Sequence, residues 1–181
     1  METIPLTFEL VTDRLRLRAV TETDVELVWS ATRHDGFNDG LTWDAPNHKS
    51  ELVEYTQFTR DKWIEGISYE FVSELPGTGQ TVGRTGIRQE NSPFEWSIGF
   101  WVHPEYWGQG FAFEAGREII NFGFTKLNAS KITTAHAIWN TRSKRVIEKL
   151  GFGFVGENPC GFVKNGNPVP EYEYEIRTTA H

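Results

Sequence analysis

The stretch from Trp96 to Phe122 constrains the fold more than any other part of the chain, because it reads as strand, loop and helix without interruption. Trp96 to Val102 is a strand, His103-Pro104-Glu105-Tyr106-Trp107 ends it, and Gly108-Gln109-Gly110 leads into a helix. That helix sets Phe111, Ala115, Ile119 and Phe122 on one face. The two glycines let the backbone turn sharply and come close to a ligand. The opening helix presents unpaired N–H groups and the positive end of its dipole, a seat for an anion such as a pyrophosphate. Ala112 leaves space one turn in. Phe113 stands where a dinucleotide fingerprint needs its third glycine, and no Lys-Ser or Lys-Thr pair follows as in a P-loop. Two glycines before a helix also fit an ordinary loop.

The rest of the chain supplies a sheet around this unit. Arg14 to Arg18 alternates with Leu15 and Leu17 inward, and Thr21 or Thr23 caps a helix through Val25, Leu27 and Val28. A loop, 33–49, precedes a helix 50–63 whose apolar spacing is Leu52, Tyr55, Phe58 and Trp63. Strands at 67–75 and 80–88, joined by Pro76-Gly77-Thr78-Gly79, form a meander with the strand 95–102. After the Gly108 helix come a strand 131–138, a short helix capped by Asn140, and strands at 152–156 and 171–177. Antiparallel and crossover steps in one chain specify an α+β domain around a mixed sheet, with residues 1–181 as a single domain.

Composition removes several classes of function. A net charge of −7 argues against a nucleic-acid partner, which needs clustered Lys and Arg. It suits a cationic partner such as an amine, and equally suits plain solubility. Cys160 is the only cysteine, and Met1 to Leu10 lacks the basic and apolar segments of a secretory signal. With no apolar run long enough to span a membrane, the expected location is the cytoplasm. His103, His136 and Cys160 show no metal-ligand spacing, so no metal is expected. With seven Trp and thirteen Phe, exposed aromatics leave a homodimer open.

Thr134 to Ser143, followed by Val146 to Phe152, reads locally as strand end, Asn cap and amphipathic helix. Taken with the glycine turn it resembles the GNAT N-acetyltransferase superfamily, and within it the ribosomal-protein N-terminal (alanine/serine) acetyltransferases. Tyr106-Trp107-Gly108-Gln109-Gly110-Phe111-Ala112 with Glu114-Ala115 looks like the pyrophosphate loop of that branch. Asn140, Ser143 and Glu148-Lys149-Leu150-Gly151-Phe152 match its second signature, and Asp13 to Arg18 its first strand. The resemblance implies a mostly antiparallel sheet splayed in the middle, helices on both faces, and acetyl-coenzyme A as co-substrate.

The same resemblance implies residue roles. Backbone groups of Phe100, Trp101 and Val102 would pair with the pantetheine arm. Amides of Gln109, Gly110, Phe111 and Ala112 would hold the pyrophosphate, Asn140 would touch the pantetheine, and Ser143 would protonate the leaving thiolate. Two positions depart from the superfamily pattern: Ile147 replaces a tyrosine, and Ser97 replaces the glutamate of the fourth strand.

The chemistry needs a neutral amine, a polarised thioester carbonyl and a stabilised thiolate. A peptide α-amine of pKa about 7.7–8 is roughly a tenth neutral at pH 7, so a weak base suffices. The Val102 amide is the expected donor to the carbonyl oxygen. Candidate bases are Glu95, on the same strand face as Ser97, and His136, on a strand entering the cleft; Glu70 ranks behind them. The acceptor pocket is expected from Phe37, Leu41, Trp43, Asp44 and Pro46. The branch resemblance implies a protein N-terminal α-amine as the favoured acceptor; the alternatives are a small amine (polyamine, aminoglycoside or amino acid) and a sensor that binds acetyl-coenzyme A without turnover.

Overall fold

A computed structural model describes residues 4–178; the first and last three residues of the expected domain lie outside the described residues. The elements are β1 (Glu9–Val11), β2 (Arg16–Ala19), α1 (Val25–Ala31), α2 (Lys49–Ile64), β3 (Ser68–Leu75), β4 (Gln80–Gln89) and β5 (Glu95–Val102). They continue with α3 (Phe111–Thr125), β6 (Lys131–Ala137), α4 (Thr141–Lys149), β7 (Gly153–Lys164) and β8 (Asn167–Arg177). The strands form one eight-stranded sheet in the order β1-β2-β3-β4-β5-β6-β8-β7, with β5–β6 its parallel step.

Strand alternation divides the side chains between two faces. Trp96, Ile98, Tyr69, Phe71, Ile87 and Ile132 face α3 and pack with Ala115, Ile119 and Phe122 into the main core. On the other face Val72 packs with Val20, Leu27 and Trp101, while Val25, Val28 and Leu52 join α1 to α2. The fold is therefore α+β, with a mostly antiparallel mixed sheet and helices on both sides.

Two elements differ from the sequence reading. In α2, Tyr55 and Phe58 are exposed, and the buried face is Leu52, Thr56, Thr59 and Trp63. Thr56 and Thr59 are accommodated because their hydroxyls donate to the carbonyls of Leu52 and Tyr55, each at 2.8 Å, so no polar group is stranded. The final strands extend into a long hairpin whose turn is Asn165-Gly166, with φ of +51° and +75°. Asn-Gly is the residue pair that such a two-residue turn requires.

Candidate active site

The sheet opens between β5 and β6. The strands pair only from Glu95↔Lys131 to Ser97↔Thr133, and a last contact, Thr134 Oγ1 donating to the Ile98 carbonyl at 3.0 Å, closes the vertex. Beyond it each strand follows its outer neighbour: β5 stays with β4 as far as Gly83↔Val102, and β6 stays with β8 as far as Ala137↔Glu171. The resulting V lies in a cleft of about 1420 Å³.

The register decides which backbone groups face the opening. The His103 amide donates to Val82 O at 2.8 Å, so by the two-residue alternation of an antiparallel ladder Trp101 and Gly99 also point their amides at β4. Phe100 and Val102 therefore present theirs to the open edge, where Val102 O already accepts the Trp107 indole N–H at 2.8 Å. This corrects the expectation for Trp101: its backbone serves the sheet. Its side chain packs edge-on against Phe37, ring centroids 5.4 Å apart.

At the wide end of the V, Gly108 and Gly110 adopt φ of +78° and +85°, and Gly110 caps α3. The first α3 amide to find a helical acceptor is that of Glu114, bonded to Gly110 O at 3.1 Å. Among the described residues, the amides of Gln109, Gly110, Phe111 and Ala112 are left without one. Glu114 fixes this turn to the connection between β1 and β2. Its carboxylate accepts from Thr12 Oγ1 (2.6 Å), Arg14 N (2.8 Å) and Arg14 Nε (2.7 Å), and Arg14 Nη1 donates to Gln109 O at 3.0 Å. Burial would raise the Glu114 carboxyl, but the bonds from Thr12 and Arg14 outweigh it and hold the group below the usual carboxylate range. The flanking wall is cationic: Arg142, Arg145 and Lys149 line the cleft from α4 at i, i+3, i+7 spacing, and the Arg142 guanidinium lies 3.6 Å over Trp107. Asn140 caps α4, with Oδ1 accepting the Ser143 amide at 3.1 Å. Ser143 lines the cleft, and its hydroxyl has no protein partner among the described residues.

The other half of the cleft is built from side chains on the α1–α2 face of the sheet. The register aligns Val72–Arg84–Trp101, Glu70–Gly86–Gly99 and Ser68–Arg88–Ser97 in three rows across β3, β4 and β5. The two central glycines form a trough, and the Glu70 carboxylate lies across it, in space that a Cβ on Gly86 would occupy. Burial pushes the Glu70 carboxyl up, against the opposing pull of Arg84 and Arg88. Glu171, Glu173 and Glu175 line the far wall from β8; burial, then Glu173, raises Glu171, whereas the Arg177 hydrogen bond lowers Glu175. Phe37, Leu41, Trp43, Asp44 and Pro46 do line the cleft. Lys164 holds their loop by donating to the carbonyls of Asn38 (2.7 Å), Leu41 (3.0 Å) and Trp43 (3.0 Å), and pairs with Asp44 at 3.4 Å.

Two candidate bases are engaged by other groups, although His136 also lines the cleft. Glu95 shares the face of Ser97 but sits at the closed end of the V, ion-paired with Lys131 at 2.9 Å. His136 is 3% exposed and turns to the α3–α4 face, with Nε2 3.1 Å from the Tyr174 hydroxyl and Nδ1 2.8 Å from Ala137 O. A ring that donates from Nδ1 to that carbonyl has its one basic nitrogen engaged by the tyrosine. The sequence reading missed Arg84, Glu114 and the cationic face of α4 as site residues. Glu114 stood in the glycine-loop signature without a role, and the α4 face had a local signal in the spacing of Arg142, Arg145 and Lys149, whereas Arg84 had none.

Comparison with known proteins agrees with this architecture. The chain is 29% identical over 179 residues to the uncharacterized N-acetyltransferase YoaA of Bacillus subtilis, covering 92% of this chain and 95% of that one. A spermidine N(1)-acetyltransferase of Escherichia coli K12 is 34% identical over 76 residues, 42% of this chain and 39% of its own. The fold superposes with a TM-score of 0.83 on RimL, a ribosomal L7/L12 alpha-N-protein acetyltransferase solved with coenzyme A, at 16% identity and with 93% and 96% of the two chains covered. The profile of the Acetyltransferase (GNAT) domain matches residues 14–153, and the chain belongs to the GNAT acetyltransferase family.

Proposed function

We propose that the chain moves the acetyl group of acetyl-coenzyme A onto the α-amine of a protein N-terminus. The observation that carries this reading is the junction of two half-sites at the V. One is the open Phe100–Val102 edge leading to the free amides at Gly110; the other is the Glu70 carboxylate across Gly86 and Gly99. In this reading the amides of Gln109 to Ala112, backed by Arg142, Arg145 and Lys149, hold the phosphates, and Phe100, Val102 and Asn140 hold the pantetheine. The Val102 amide takes the charge that develops on the thioester oxygen.

Glu70, in place of Glu95 or His136, accepts the amine proton directly or through water, and its raised pKa suits a base for an α-amine. The N–C bond forms, the C–S bond breaks, and the leaving thiolate takes a proton relayed through the Ser143 hydroxyl, which water restores as Glu70 returns its proton to solvent. The likeness to RimL, an alpha-N-protein acetyltransferase, supports the N-terminal acceptor. A second reading, a polyamine acceptor, draws on the carboxylates of Glu171, Glu173 and Glu175 and on the partial likeness to spermidine acetyltransferase.

Thiol release and mass spectrometry over a panel of peptides, amino acids, aminoglycosides and polyamines test the proposal. An added acetyl on peptide N-termini is the expected result. Label on small amines alone overturns the protein acceptor, and coenzyme A binding with no turnover on any amine makes the chain a sensor.

A further inference from the structure

Arg84 stands in the middle of β4, flanked by Val72 and Trp101, and is 5% exposed. Its Nε and Nη2 are buried with no hydrogen-bond partner among the described residues, yet the side chain lines the acceptor half of the cleft. Glu70, one row away, favours the charge from a distance without an ion pair to it among the described residues; Asp24 does the same but is held by Arg18 at 2.8 Å. Buried guanidinium donors are nearly always paired, because an unpaired one forfeits its hydration with nothing in return. Methionine or leucine would pack better between Val72 and Trp101. A planar fork of N–H groups beside the trough is complementary to an oxygen, above all a carboxylate.

We propose that Arg84 is the residue that selects the acceptor, by taking a carbonyl or carboxylate oxygen carried next to the reacting amine. The acceptor class is then the α-amino-acyl compounds. An α-amino-acyl unit has its amine one carbon from such an oxygen, which allows the amine to reach Glu70 while the oxygen meets Arg84. A polyamine offers only methylenes and further cations, so it would leave Arg84 unpaired and repelled. This inference rests on the amine-acetylation reading above and narrows its substrate.

The test uses an alanine-initiated peptide, free alanine, isopropylamine (alanine with a methyl in place of the carboxylate) and spermidine, compared at equal free-amine concentration. The expected parent kcat/KM for the better alanine compound exceeds that for isopropylamine by about 10²-fold or more, as for a site built around a polar group. Arg84→Met should raise KM for the alanine compounds about tenfold or more and collapse that ratio toward one. Arg84→Lys should restore part of the ratio, and calorimetric coenzyme A affinity reports that both variants are folded. Preference for the peptide seats a peptide carbonyl on Arg84. Preference for free alanine seats a carboxylate; it supports Arg84 while overturning the protein acceptor. Spermidine or isopropylamine as the best acceptor overturns the inference, and so does an Arg84→Met loss equal for all four compounds. Acetylation of none overturns amine transfer itself, and Arg84 selection with it.

Discussion

The two halves of the cleft are made of different material. The half around Gly108 and Gly110 is built from backbone amides at a helix mouth, with carboxylates used only as braces. The half around Gly86 and Gly99 is built from side chains projecting from four strands. Carboxylates braced by arginines and those buried in the trough shift in opposite directions. In the scaffold, Asp24, Glu74 and Glu114 are held below the ordinary carboxylate range by hydrogen bonds from Arg18, from Arg18 and Arg16, and from Thr12 and Arg14 respectively, against desolvation. In the trough, Glu70 and Glu171 are pushed up by burial. Divergence of this kind marks a division of labour between groups that stay charged for structure and groups that exchange protons.

The sharpest way to break the comparison is Glu70→Gln. It should lower kcat/KM by about 10²–10⁴-fold while calorimetric coenzyme A affinity stays unchanged. In the parent, the acid limb of the pH–rate profile should lie above the ordinary glutamate value of about 4.3, because burial raises the base and activity requires it ionised. The variant should lose that limb. An identical limb in Glu70→Gln assigns the titration to another group.

Gly110→Val attacks the other half. A β-branched residue at φ of +85° carries about 1–3 kcal/mol of strain, and relieving it moves the amides out of line. Coenzyme A affinity should fall about tenfold or more by calorimetry, with kcat at saturating co-substrate much less affected. Ser143→Ala lies at the junction and should lower kcat about tenfold or more with little change in coenzyme A affinity. Equal loss of both would make Ser143 a binding residue.

The smallest expected effect is on stability. Glu114→Gln should destabilise the fold by about 1–3 kcal/mol at neutral pH, since Thr12 and Arg14 lose a charged acceptor. For a carboxyl whose folded pKa is depressed, the stabilisation is present above its unfolded value of about 4.3 and is lost as pH falls through the folded value. Chemical denaturation at pH 7 and at pH 3 should therefore show the difference between parent and variant shrinking at the lower pH. A gap that persists at pH 3 would assign the role to packing.

The backbone half was legible in the sequence because it is local. Gly108, Gly110 and the Phe111–Phe122 face lie within one short segment, and Asn140 caps the helix that begins at the next residue. The side-chain half depends on register, which brings Glu70, Gly86 and Gly99 together from three strands. Alternation placed Glu95 on the proper face but not at the proper depth, and strand parity turned His136 to the opposite side. In α2 the core face runs through Thr56 and Thr59, so the aromatic spacing of Tyr55 and Phe58 pointed to the solvent side.

Gly40 touches both halves. A Cβ there would fall on the side chain of Asn140, so the loop that Lys164 pins by three carbonyls is in direct contact with the cap of α4. A displacement of that loop would therefore be felt at Asn140, and a displacement of Asn140 would be felt by the loop. Whatever factor one guest contributes to the tightness of the other must be returned in equal measure. Any coupling between two occupants of this cleft would be mutual.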